Sequence, residues 1–146
     1  MSGGRQIELF SELNSEERRV MSALQYRTSP AEGISMKELA EVSRMSEREL
    51  RATVSHLRAM HGVRIGSCPT HGYWMITSIV GAWPHETHAL GRLYTAALNI
   101  ASARGISIED ALRFALERFE SVTGGRIVEP KEVLVKLKEQ ELALSE

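Results

Sequence analysis

Between Glu47 and Met60 the chain reads ERELRATVSHLRAM, and a helical wheel at about 100° per residue sorts these side chains by chemistry. Leu50, Val54 and Leu57 cluster on one side; Arg48, Ala52, Ser55 and Ala59 fall opposite, flanked by Arg51 and Arg58. Small residues let a helix backbone approach a groove floor, while arginines reach guanine edges or phosphates. In a groove-bound helix the amino-terminal part stands nearest the bases. Arg48, Arg51 and Ser55 are therefore the candidate base or near-base contacts, Arg58 is a candidate phosphate contact, and Ser46, at the start of the helix, is a further candidate DNA-binding residue. Glu47 can accept from a cytosine amino group, or serve only in the first turn of the helix. Arginines on a helix are also an ordinary solvated face, but the motif around them favours contact with DNA.

A second set follows in the run Gly66-Ser67-Cys68-Pro69-Thr70-His71-Gly72. Its glycines and proline suit a hairpin loop. Such a tip lies along the DNA backbone or in the minor groove, where Arg64, Ser67, Thr70 and His71 are available. Thr70 can hydrogen-bond a phosphate, and His71 does so best when protonated. A plain turn accounts for the same residues equally well. Lys37, near the start of an earlier helix, is expected beside a phosphate because helix N-termini attract anions.

Other constellations do not assemble. His61, Cys68 and His71 lack a fourth partner, and structural zinc sites close with four ligands at tighter spacing, so no metal is expected. His85 and His88 stand at i, i+3 with no acidic or cysteine partner nearby. Cys68 next to Pro69 has no neighbour that would activate a thiol. A nucleophile elbow, a phosphate loop and a carboxylate pair are all missing, so neither an enzyme nor a cofactor is expected.

The elements that must carry these residues are legible from caps and periodicity. Asn14 or Ser15 opens a helix with Glu16 and Glu17 in its first turn and Val20, Ala23 and Leu24 on its inner stripe, running to Arg27. Ser35 with Glu38, and Ser46 with Glu49, read as two capping boxes, opening helices over 36–43 and 47–60 with only Arg44 and Met45 between. His61-Gly62 stops the second, and the β-prone runs 63–65 and 73–77 bracket the 66–72 loop. Three helices and a hairpin in this order describe a winged helix-turn-helix. The expected fold class is mainly α with a small β-hairpin: this motif followed by a C-terminal helical region. In the latter, helices are expected from Trp83-Pro84 to Arg104, from Ser107 to the Thr123-Gly124-Gly125 stop, and from Pro130 to Leu144.

The chain's 146 residues are 42% apolar and 25% charged, which suits a soluble globular protein with room for one domain and a helical appendix. The division expected is a lead over 1–14, the winged helix over 15–80 and the helical region over 81–146. Residues 15–78 hold nine Lys/Arg against seven Asp/Glu, residues 79–146 eight against ten, and residues 1–14 one against two, summing to the formal −1. Such balance excludes a bulk polycation, so any DNA binding must come from a local basic surface. The absence of an apolar run long enough to span a membrane, the charged N-terminus and the single Cys68 point to a cytoplasmic protein.

Over 34–77 the sequence resembles the N-terminal winged helix of the biotin repressor, and is similar to small winged-helix proteins of phages and prophages of Gram-positive bacteria. The residues that carry this are Ile34-Ser35-Met36-Lys37-Glu38-Leu39-Ala40, then Met45-Ser46, Leu50, Val54, Leu57-Arg58, Gly62-Val63 and Gly72-Tyr73. It covers about a third of the chain and implies the fold more than any one function. Two positions depart from the pattern. Arg44 replaces the usual turn glycine, so the turn either avoids positive φ or carries about 1 kcal/mol of strain. Ser43 stands where an apolar residue is usual, which thins the packing of the second motif helix. The ligase's glycine- and arginine-rich ATP-binding loop is missing, so biotin chemistry is not implied.

The functional expectation is a sequence-specific double-stranded DNA-binding protein, a transcriptional regulator of a bacterium or phage. One module buries little surface, so a homodimer reading a palindrome is expected. Leu90, Leu93, Leu98, Leu112, Leu116 and Phe119 are expected to pack the later helices on each other and on the winged domain. The stripe Val133, Leu137 and Leu144 is a dimer or partner surface, or packs within the same molecule. The rival reading is an interaction module whose acidic helical tail recruits a replication or transcription protein. A third is a regulator whose C-terminal helices bind an effector.

Overall fold

The computed structural model describes residues 12–145, and within them the chain is mainly helical with one two-stranded antiparallel hairpin. It divides into two compact units between Glu86 and Thr87. No helix among the described residues is long and apolar enough to cross a membrane. Most of the lead expected over 1–14 lies outside the described residues.

In the first unit, α1 spans Ser15–Leu24 and is opened by a full capping box. Asn14 Oδ1 accepts from Glu17 N at 2.8 Å, and Glu17 Oε1 accepts from Asn14 N at 2.9 Å. A 3-10 turn at Pro30–Glu32 precedes α2 (Met36–Val42) and α3 (Glu47–Met60). Ser35 and Ser46 cap these helices by accepting from Glu38 N and Glu49 N. Only the serine half of each expected box forms; the reciprocal pair is at Asn14 and Glu17 instead. Leu13, Val20, Leu24, Ile34, Leu39, Leu50, Val54, Leu57, Val63 and Ile65 make one buried cluster. Each such side chain contributes about 1.5–3 kcal/mol relative to exposure.

The hairpin pairs β1 (Ile65–Cys68) with β2 (Gly72–Met75), Ile65 opposite Met75 and Cys68 opposite Gly72. This corrects the expected loop of 66–72, because Gly66, Ser67 and Cys68 are strand residues and the turn is only Pro69 to His71. Gly66 faces Trp74, whose ring lies so close that a Cβ would stand 2.6 Å from Cε2. The glycine thus makes room for a fully buried indole, whose Nε1 donates to Gly81 O at 2.9 Å. Ile34 bridges to Tyr73 through reciprocal bonds of 2.9 and 2.8 Å, which fasten the hairpin ahead of α2.

The next helix, α4, spans Ile79–Arg104 and begins a turn before the expected Trp83-Pro84. Ser78 accepts from Gly81 N through Oγ and from Ala82 N through its carbonyl, which supplies the start. Pro84, inside the helix, has no N–H to donate to the Val80 carbonyl. In the second unit, α5 spans Ile108–Thr123, capped by Ser107 and ended by Gly124 at φ 66°, and α6 spans Pro130–Ser145. Ala97, Ala101, Ala111 and Val122 take the buried positions. The leucines expected to pack these helices do not: Leu90, Leu93, Leu98, Leu116 and Phe119 are 45–67% exposed, and Leu112 is half-buried. Small residues thus take the buried positions of this unit, and its larger apolar side chains stay largely at the surface.

Candidate nucleic-acid interface

The turn between α2 and α3 sets the direction of the candidate face. Arg44 adopts φ 57°, the left-handed conformation for which glycine is usual, so this turn keeps positive φ and accepts the strain. Met45 N donates to Ala40 O at 3.0 Å, and Arg19 Nε donates to Ser43 O at 2.7 Å, tying the end of α2 to α1. The Ser43 side chain is fully buried with its Oγ lacking a hydrogen-bond partner, so the serine occupies an apolar slot as the sequence departure implied.

The wheel drawn from sequence matches α3. Leu50, Val54 and Leu57 are buried, and Thr53 joins them by bonding its hydroxyl to Glu49 O at 2.8 Å. Glu47, Arg48, Arg51 and Ala52 are exposed, and Ser55 and Ala59 are half-buried. Neither the Arg48 nor the Arg51 guanidinium is held by a hydrogen bond or ion pair to a described residue. Ser46 is the N-cap, so its hydroxyl accepts from Glu49 N. Lys37 is exposed in the first turn of α2.

Arg58 sits differently from the expected phosphate contact. Its Nε donates to Ile65 O at 3.0 Å and one Nη to Ser67 Oγ at 2.9 Å, so the guanidinium is turned into the base of the hairpin. Burial lowers its pKa from the usual arginine value. Burial likewise raises the pKa of the Tyr73 phenol, against the pull of the Arg58 and Arg51 charges. Arg58 is thereby a strut that fixes the hairpin on α3. Ser67 is held from two sides, since its amide donates to His85 Nδ1 at 3.0 Å.

At the tip, Thr70 is exposed, and the half-buried His71 ring meets Trp74 edge-on with centroids 6.1 Å apart. Arg64 is exposed beside β1. Arg48, Arg51 and Ala52 thus form one solvent-facing surface of α3, while Arg58 and Ser67 brace the hairpin.

His61, Cys68 and His71 are not brought together as a ligand set. Among the described residues, the group with metal-ligand proximity is instead Glu17, His56 and His61. Sequence reasoning passed over Glu17 as a first-turn acid and did not single out His56. Its signal was a Glu in a capping box followed by two histidines five residues apart, which helical spacing alone does not put on one face. His88 is exposed.

On α6 the expected stripe divides. Val133 and Leu137 are half-buried, and Leu144 is 81% exposed. Two grooves in the second unit are each walled from one side: Thr87 to Asn99 of α4 line one, Glu129 to Glu139 the other. Comparison with protein-family models, curated proteins and solved structures found no match.

Proposed function

We propose that the chain is a winged helix-turn-helix protein that binds specific double-stranded DNA, α3 entering the major groove and the hairpin tip following the backbone or minor groove. It acts as a homodimeric transcriptional regulator in the cytoplasm of a bacterium, encoded by the bacterium or its phage. The observation that carries this reading is the outer face of α3: Arg48 and Arg51 are exposed and unengaged beside the small Ala52. The order of α1, the Ile34 bridge, α2, α3 and the hairpin supports the same architecture. Ser55 joins Arg48 and Arg51 near the bases, Glu47 accepts from a cytosine amino group, and Lys37, Arg64, Thr70 and His71 attend the backbone. Arg58 and Ser46 position these residues.

A titration of duplex DNA followed by fluorescence anisotropy at several salt concentrations tests the reading. Each phosphate neutralised contributes about −0.9 to the slope of log affinity against log salt. Replacing Arg48 and Arg51 together by alanine is expected to reduce binding sharply and to abolish preference among sequences. Unchanged binding by the double variant would refute the assignment to α3.

A second reading has its own support. The exposed Leu90, Leu93, Tyr94, Leu98 and Leu116 of the second unit suit a protein partner. A module that recruits a replication or transcription protein would show this surface in use and bind no DNA even at low salt.

A further inference from the structure

Among the described residues, Glu17 is the one charged side chain in the buried class, at 3% exposure. Its Oε1 is used by the Asn14 amide, but its Oε2 is buried and receives no hydrogen bond. Two imidazoles nevertheless face that oxygen: His61 Nε2 at 3.3 Å and His56 Nε2 at 3.6 Å, neither aligned to donate to it. The ligand atoms of all three residues lie within 4.8 Å of one another.

We propose that Glu17, His56 and His61 form a binding site for a divalent transition-metal cation of the zinc type, with water completing the coordination. Ligands bound about 2.0–2.1 Å from zinc at the corners of a tetrahedron lie about 3.3–3.4 Å apart. The separations around Glu17 Oε2 are of this size, whereas the alignment is not that of a hydrogen bond. Two imidazole nitrogens and one carboxylate oxygen are a donor set suited to this class of cation. A buried carboxylate oxygen without a donor is costly, and a bound cation supplies the missing counter-charge. The His56 side chain remains 39% exposed, so the ion and a water ligand have a way in.

His61 is the C-cap of α3, where the helix carbonyls favour positive charge, and Glu17 belongs to the first turn of α1. The ion therefore pins the start of α1 to the end of α3. This places it among the structural determinants of the first unit, whatever that unit binds.

The test uses the full chain, freed of any purification tag, stripped with chelator and titrated calorimetrically with zinc chloride. One equivalent is expected to bind and to raise the unfolding temperature. Glu17→Gln keeps an oxygen for the Asn14 amide but removes the carboxylate; His56→Gln and His61→Gln each remove one imidazole. Each is expected to weaken zinc binding at least tenfold, while His88→Gln leaves it unchanged. Unfolding of each variant without metal is read in parallel. Should Glu17→Gln not fold, His56 and His61, both less buried than Glu17, still decide the matter. Cobalt substitution adds a signature that a merely structural role would not move: the visible absorption of a tetrahedral site, lost in His61→Gln. No saturable binding by the unaltered chain, or affinity indifferent to His56→Gln and His61→Gln, would overturn the proposal.

Discussion

At Gly66 the hairpin has no room for even a methyl group, since a Cβ there would stand 2.6 Å from Trp74 Cε2 and 2.7 Å from Cζ2. The Trp74 ring is fully buried and tied to Gly81, so it cannot move aside cheaply. Gly66→Ala is expected to cost about 1–3 kcal/mol in urea unfolding, the range for overpacking a well-filled site. In sequence this glycine looked like part of a turn, because a four-residue strand with Gly, Ser and Cys lacks β-branched periodicity. Only the indole opposite explains it. Tyr73 gives a second test. Its phenol is raised by burial, so the folded state keeps the proton longer than the unfolded state does. The stability this provides is full below the unfolded tyrosine value of about 10 and is lost as pH rises from there through the folded value. Above pH 10 the unfolding midpoint of the unaltered protein should therefore fall more steeply than that of Tyr73→Phe.

At the scale of elements, arginines on one helix divide into two kinds. Arg48 and Arg51 face solvent, whereas Arg58 is anchored to Ile65 O and Ser67 Oγ. Arg58→Ala removes two hydrogen bonds to the hairpin and should lower stability by about 1–3 kcal/mol, while leaving the salt slope of DNA binding nearly intact. Arg48→Ala should do the reverse, hardly touching stability while weakening binding to the preferred sequence by about 1–3 kcal/mol and relaxing that preference. Urea unfolding and anisotropy on the same two variants check both halves. The helical wheel made the faces of α3 legible, because Leu50, Val54 and Leu57 fix which side is inward. It did not reveal which cation turns back, since a contact from Arg58 to Ser67 depends on strand register. Helix starts were legible where a cap residue was present, and Ser46 and Met60 bound α3 as expected, whereas α1 stops at Leu24 and not at Arg27. The start of α4 was missed because Pro84 suggested a first turn while Ser78 supplies the cap.

At the scale of the whole molecule, the two units bury their apolar residues differently. The first has a single cluster built from leucine, valine and isoleucine, while the second relies largely on alanines and leaves Leu90, Leu93, Tyr94 and Leu98 exposed. Periodicity marked those leucines correctly as one side of a helix, but it carries no information on whether the covering surface belongs to the same chain. In the proposed homodimer, that surface is supplied by a second copy. Replacing Leu93 and Leu98 by glutamate is then expected to convert a dimer to a monomer in sedimentation analysis and to weaken DNA binding at least tenfold. A chain that sediments as a monomer before the change would remove the dimer from the account. The central claim, that the outer face of α3 meets DNA, is tested most directly by backbone amide shifts of the labelled chain on adding duplex. The account expects the largest changes at Glu47, Arg48, Arg51, Ala52 and Ser55, with a second group at Thr70 and His71. Shifts confined to the second unit, or no shifts at low salt, would contradict it.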